Sequence, residues 1–423
     1  MKKLIVLGVA LGWAGVTTAA MADEATPAPD TGGDQAQAAP APAAPGAPPA
    51  AAPAAPAAPP GPTAMANPTM TGPLVANPNP TNFNFGPLGT IYVTGAISGL
   101  GFWQSNPFPG DRNERADLSN GQIIIQKTDG FFQFYAQGGI YSLPSLGASY
   151  ISAERQTGDT FGVVPEAYAK LVANDSFNIE GGKLPTLIGA EYAFTFENMN
   201  IQRGLLWNQE PVISRGVQAN LTTGPVAWSA SLNDGFYSGR YDWATGAATW
   251  TINPANSLEI VGGGNFGRDS SFASPLATPI AQDNGRILNV IYTYNSAPWT
   301  ITPYFQYTDV PSNPSLGWTH SGQTWAGALL ASYAFNGNVS LAGRAEIIGS
   351  TGSTTDGAPN LLYGAGSSAW SFTLTPTYQQ GIFFARAEGS IVGASGITPG
   401  LAFGRSGSEK TQGRVMLEAG VIF

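Results

Sequence analysis

The sequence predicts an all-β chain: a transmembrane antiparallel β-barrel of about 16 strands, preceded by a disordered Ala/Pro-rich segment. Three observations predict it. After Thr90 the side chains alternate between apolar and small or polar. The connections between alternating segments are short turns and long loops in turn. Charged residues make up only 11% of the chain, yet no run after the amino terminus reaches the length of roughly 18 apolar residues that a spanning helix needs.

The first residues read as a secretory signal, residues 1–22. Lys2 and Lys3 give a positive start, Leu4 to Val16 an apolar stretch, and Ala20-Met21-Ala22 a small-x-small cleavage pattern. The mature chain is then expected to begin at Asp23, outside the cytoplasm. The sequence has 0 Cys, which excludes disulfides, thiolate metal sites, a Cys nucleophile and a lipid-modified Cys after the cleavage point. No cofactor and no metal site are expected.

Residues 23–87 form a low-complexity linker. Its centre, Ala36–Pro62, is almost wholly Ala, Pro and Gly, with no apolar periodicity from which to build a core. In polyproline II form, at about 3.1 Å per residue, such a segment reaches on the order of 150–190 Å, enough to cross much of a periplasm. Two readings stay open: a passive tether, or a spacer that engages peptidoglycan.

The barrel occupies 88–423. Ile91, Val93, Gly95 and Ile97 face one way and Tyr92, Thr94, Ala96 and Ser98 the other. Ala167, Ala169 and Leu171 oppose Glu166, Tyr168 and Lys170; Trp370, Phe372 and Leu374 oppose Ser371, Thr373 and Thr375. The small or polar face lacks the bulk of a packed core and suits a water-filled lumen. Such alternation hides hydrophobicity from averages, and mean hydropathy is −0.02. Turn-forming residues sit at Lys127-Thr128-Asp129-Gly130, Ala173-Asn174-Asp175, Thr222-Thr223-Gly224, Asn253-Pro254-Ala255-Asn256, Asn295-Ser296-Ala297-Pro298, Asn336-Gly337-Asn338 and Gln379-Gln380-Gly381. Long links lie between them. Both barrel ends then fall on the short-turn, periplasmic side. A soluble β-sandwich, the plain alternative, has no need of long loops on one side only.

The last segment, Arg414–Phe423, places Leu417, Ala419, Val421 and Phe423 on one face and Arg414, Met416 and Glu418 on the other. It looks like the closing strand of an outer-membrane barrel, and its terminal Phe423 resembles the signal read by the barrel assembly machinery. Arg344 and Glu346, and Arg386 and Glu388, share the parity of Arg414 and Glu418. A cation on the lipid face would cost roughly 2–4 kcal/mol at the midplane, so all six point inward. They are expected to line the pore. Either they form a ladder of mutually neutralising charges, or they set a field that sorts permeant ions. Lys170 and Glu180 are expected on the opposite wall.

The third long loop, near 184–210, is too apolar for solvent: Leu187, Ile188, Phe194, Phe196, Leu205, Leu206 and Trp207 need burial. It is expected either to fold into the barrel and narrow the pore, with Glu191, Glu197 and Arg203 near the constriction, or to cap the rim or pack between subunits.

Gly182–Gly216 carries a family resemblance. Gly182-Lys183, Gly189-Ala190-Glu191, Asn198 to Asn200 with Arg203, and Pro211 to Gly216 are similar to the OmpL-like β-barrel porins. The Ser-Arg of that family stands here as Gln202-Arg203. The resemblance implies an outer-membrane pore over about 90–423 and implies no particular solute. By resemblance to general porins, a homotrimer is a further expectation, and the small outward residues Gly95, Gly343, Ala345, Ala385 and Ala387 are either subunit contacts or plain lipid-facing wall.

Rival functions are weighed on the residues. A barrel hydrolase needs a His with a partner, and His320 is the one His in the chain; Ser321 beside it points to the opposite face of a strand. No enzyme is expected. A structural or adhesive barrel with a plugged pore is the second rival. From 88 onward the chain has net charge −7, which speaks against nucleic acid. The expectation is a channel for passive diffusion of small hydrophilic solutes and ions, of weak cation preference, surrounded by outer-membrane lipid.

Overall fold

The computed structural model describes residues 72–268 and 279–423. The signal segment and most of the linker lie outside the described residues. A short strand, β1 (Thr81–Asn84), precedes β2 (Thr90–Gln104), β3 (Glu114–Lys127), β4 (Phe132–Tyr141), β5 (Glu166–Asn174), β6 (Phe177–Pro185), β7 (Ile213–Thr223), β8 (Val226–Asn233) and β9 (Trp243–Asn253). The chain continues through β10 (Asn256–Asn265), β11 (Arg286–Ser296), β12 (Trp299–Val310), β13 (Gly322–Ala334), β14 (Val339–Ser350), β15 (Ser368–Gln380), β16 (Phe383–Ser395) and β17 (Thr411–Ile422). Each strand from β2 onward pairs antiparallel with the next, and β17 pairs with β2. The result is a closed barrel of 16 strands, all-β, with no free edge along the membrane-spanning wall.

Closure is made in part by the last residue. Gly95 and Phe423 exchange backbone hydrogen bonds of 2.9 and 3.0 Å. A Cβ on Gly95 would lie 2.6 Å from the Phe423 ring, so the ring covers the glycine. This explains one of the small outward residues: Gly95 makes room for Phe423. β1 pairs with β2 below that point, from Thr81 opposite Val93 to Asn84 opposite Thr90. The described part of the segment read as linker, residues 72–87, is therefore built onto the barrel.

Parity follows the sequence. Ile97, Leu171, Trp228, Ile347, Phe372, Leu417 and many like them are exposed on the outside, whereas Ser98, Tyr168, Thr373, Met416 and Glu418 are buried within. Exposed aromatics gather near the short turns (Phe131, Phe132, Trp228, Trp250, Trp299, Phe335, Phe383) and near the long loops (Trp103, Trp325, Trp370). Two such girdles are what the two water–lipid boundaries select.

Register shifts occur beside two short turns, between Val172 and Asn174 and between Asn256 and Ser257, and once inside the wall. Ser98 lies opposite Asn120 but Gly99 lies opposite Leu118, so Ser119 is an extra residue in β3. This β-bulge turns Ser119 and Asn120 inward together, both fully buried, and Asn120 reaches Thr195 of the third long loop. The slip is visible in the sequence as Leu118 falling out of step with Ile123 and Ile125.

Candidate functional site

The third loop, 186–212 between β6 and β7, lies inside the barrel. All residues from 193 to 207 are buried. Its apolar side chains supply the reason. Phe194 and Phe196 pack with Tyr135, Tyr141 and Tyr168, while Ile188, Leu205 and Leu206 pack with Tyr304, Leu330 and Ile348. Two short 3-10 turns, Thr195–Glu197 and Trp207–Gln209, fold the loop back on itself.

A loop inside a barrel carries backbone polar groups away from bulk water, and these must be met by something. The inward charges meet them. Arg344 Nη1 donates to Glu191 at 2.5 Å and to the Gln202 carbonyl at 2.7 Å. Arg386 donates to the carbonyls of Asn198 at 3.0 Å and Thr195 at 2.8 Å. Glu388 accepts from the Ile201 N–H at 2.5 Å, the Gln202 side chain at 2.7 Å and Thr375 at 2.8 Å. Arg414 donates to Gln202 Oε1 at 2.6 Å and holds Gln104 through two further bonds. Glu346 accepts from the Leu206 N–H at 3.2 Å, and Glu418 from the Thr195 hydroxyl at 2.6 Å. Gly204 passes so close to Glu346 that a Cβ there would sit 2.1 Å from Oε1, which only glycine permits.

The six wall charges thus point inward, as their parity requires, but they are 1–3% exposed. Each grips the loop, and Arg344 with Glu346 and Arg386 with Glu418 also neutralise each other on the wall. The pairing also differs from simple two-residue spacing. Arg344 does lie 3.2 Å from Glu346, but Arg386 pairs across the strands with Glu418 and not with Glu388.

Within the loop, Glu191 pairs with Arg344 and accepts from the Gly204 N–H at 2.7 Å. Glu197 accepts from the Phe194 N–H at 3.0 Å and so closes its own turn. Arg203 is fully buried over the Trp207 ring, 5.5 Å from its centroid. Burial pulls its guanidinium down to about 10, with Glu191 acting against that. Its backbone bridges to the second long loop, through Arg203 N–H to the Pro144 carbonyl at 3.0 Å and Leu146 N–H to the Arg203 carbonyl at 2.9 Å. Burial, followed by Glu191 and Glu346, holds the Glu210 carboxyl well above its usual range.

The opposite wall is different. Lys170 and Glu180 face each other at 3.0 Å and keep partial exposure. Around them runs a net of neutral groups: Gln218 donates to Asn220 at 2.9 Å, Asn220 to Asn178 at 2.9 Å, and Ser229 to Asn220 at 2.7 Å. Thr249, Glu259 and Thr293 continue this face, half-buried. His320 sits exposed in an external loop, its Nδ1 directed at the Asp356 carbonyl at 2.5 Å. Among the described residues no group of three or more His, Asp or Glu is placed to hold a metal ion.

Sequence reasoning missed the loop's wall-side partners: Thr195, Gln202, and the bulge residue Asn120, which donates to Thr195 at 2.6 Å. Polar residues buried by a distant segment carry no local signature, although the parity slip at the bulge was readable.

Comparison with known proteins agrees with this architecture. The model of the family "Putative beta-barrel porin-2, OmpL-like" matches residues 90–423. Among solved structures, OmpF of Salmonella typhi, in complex with daunomycin, is similar with a TM-score of 0.53 at 12% identity, over 79% of this chain and 98% of that one. Outer-membrane expressed OmpT of Vibrio cholerae gives 0.51 at 12% identity, over 79% and 98%. Its loop L8 deletion mutant gives 0.51 at 11% identity, over 79% and 99%. No curated protein sequence matches the chain.

Proposed function

The chain belongs to the OmpL-like β-barrel porins of the outer membrane, and from that premise we propose that it conducts small hydrophilic solutes and ions by passive diffusion. The observation that carries this reading is the asymmetry of the lumen. The inserted loop uses the charges of β14, β16 and β17, whereas on β5 to β11 Lys170, Asn178, Asn220, Ser229, Thr249, Glu259 and Thr293 stay partly exposed. We place the water path along β5 to β11, with Lys170, Glu180 and Glu259 as its charged lining. The excess of acid there gives weak cation preference. Arg344, Glu346, Arg386, Glu388, Arg414 and Glu418 define the bore indirectly, by fixing the loop that carries Glu191, Glu197 and Arg203.

The surroundings follow from the same reading. The wall is solvated by outer-membrane lipid, Phe423 serves as the assembly signal, and the linker lies in the periplasm as a passive tether or a contact to peptidoglycan. Three copies form the working unit. Reconstitution of the mature protein in a planar bilayer tests the central claim. Stepwise conductance with a reversal potential on the cation side of zero in a salt gradient is the expected result. A folded barrel that gives no conductance leaves the structural or adhesive reading in its place.

A further inference from the structure

The described chain starts inside the periplasmic end of the barrel, not beside it. The Gly72 backbone lies against the inserted loop: a Cβ there would be 2.6 Å from the Asn198 carbonyl oxygen. Leu74 is 2% exposed and packs in one cluster with Ile124, Tyr135 and Tyr168 of the wall and with Phe194 and Phe196 of the loop. Val75 is held by one side chain. Its N–H donates to Gln379 Oε1 at 2.8 Å, and Gln379 Nε2 donates back to its carbonyl at 2.8 Å. The chain then crosses to β2, where β1 joins the sheet below Phe423. Residues 72–80 therefore run along the inside of the rim from β15 to β2, three strand positions apart in the ring. Beside them remains a cavity of about 530 Å³, with Pro73, Val75 and Ala76 on one side and Thr300, Ser332 and Thr377 on the other.

We propose that Gly72–Pro80 is a second constriction element, a periplasmic strap that sets the width of the mouth independently of the wall charges. This rests on the reading of the barrel as a channel. The attachments differ in strength from those of the inserted loop. The loop is tied by six charged side chains, the strap by one neutral amide and one buried leucine. Charge-assisted bonds are the stronger class, so the strap is the part that moves. Its cavity is lined by hydroxyl, amide and apolar groups without a charge, so it restricts solutes by size and not by sign.

Single-channel recording tests this on the mature protein, a variant lacking residues 72–80, and Gln379→Ala. The deletion lies outside the closed 16-strand sheet, and heat-modifiable gel mobility reports that the barrel has folded. The deletion is expected to raise conductance roughly two-fold with the reversal potential unchanged. Gln379→Ala is expected to flicker between the two levels. A Val75→Cys, Gln379→Cys pair, unambiguous in a chain with 0 Cys, is expected to hold the lower level when joined by a short thiol crosslinker. Equal conductance for the wild type and the deletion overturns the strap while leaving the channel intact. Absence of conductance from both folded proteins overturns the channel reading and the strap with it.

Discussion

The two halves of the lumen solve opposite problems with the same parity rule. On β14, β16 and β17 the inward positions include two charges per strand, an Arg and a Glu, buried against a folded loop. On β5 to β11 they include Asn178, Gln218, Asn220 and Ser229, bonded to one another, with Lys170 and Glu180 neutralising each other at 3.0 Å. The difference teaches what a charge inside a barrel is for. A neutral hydroxyl or amide is enough along the proposed water path. A buried segment needs partners for its backbone, and a charged partner supplies several bonds at once: Glu388 alone meets two N–H groups, an amide and a hydroxyl.

The comparison breaks most visibly if the loop is removed. Replacing 190–209 by a short Gly-Ser link is expected to raise single-channel conductance several-fold, and unchanged conductance would sink the constriction. Next in size is the loss of one anchor. Arg386→Ala leaves Glu418 buried without its cation, a change that typically costs about 3–5 kcal/mol. Trypsin is then expected to cut at Arg203, which is sealed in the wild type; a loop that stays resistant shows that the anchors are dispensable. A smaller effect is expected across the lumen. Glu180→Gln leaves Lys170 unpaired and is expected to move the reversal potential toward anions at nearly constant conductance. No shift places the water path elsewhere.

The smallest effect concerns pH. Burial raises the Glu210 carboxyl above its ordinary value of 4.5 in the packed loop. A raised value means the packed state holds the proton more tightly than the unpacked one. The contribution to packing is complete below the ordinary value and is lost as pH rises through the raised one. Loop opening, read as trypsin cleavage at Arg203 corrected for the protease's own profile, is expected to grow with pH in the wild type. In Glu210→Gln it is expected to be flat, and the same slope in both rules Glu210 out.

Much of this was legible before the structure. Strand parity is a two-residue rule written into each segment, so the inward direction of Arg344 or Glu418 could be read from Leu341, Ala345 and Leu417 around them. The burial of the third loop was legible from Phe194, Phe196 and Trp207. What could not be read was which groups meet. The cross-strand contact of Arg386 with Glu418 depends on register between strands, and the grip of Glu388 on Ile201 and Gln202 joins residues far apart in the chain. The strap was hidden for another reason: Gly72 to Pro80 has the composition of the linker before it, and only Leu74 and Val75 interrupt that pattern.

The bulge at Ser119 and the loop together have a consequence for how the wall is completed. Every strand pair but one joins neighbours along the chain; β2 and β17 meet across 320 residues, as measured from Ser98 to Glu418. Closing so long a circuit carries the greatest entropic cost of any contact in the sheet. At that seam stands Thr195, bonded on one side to Asn120 and on the other to Glu418, which in turn accepts from Ser98 of β2 at 3.2 Å. The loop acts there as a rivet. The circumference can be zipped strand by strand from local hairpins, and the last join, with no local help, is fastened from inside.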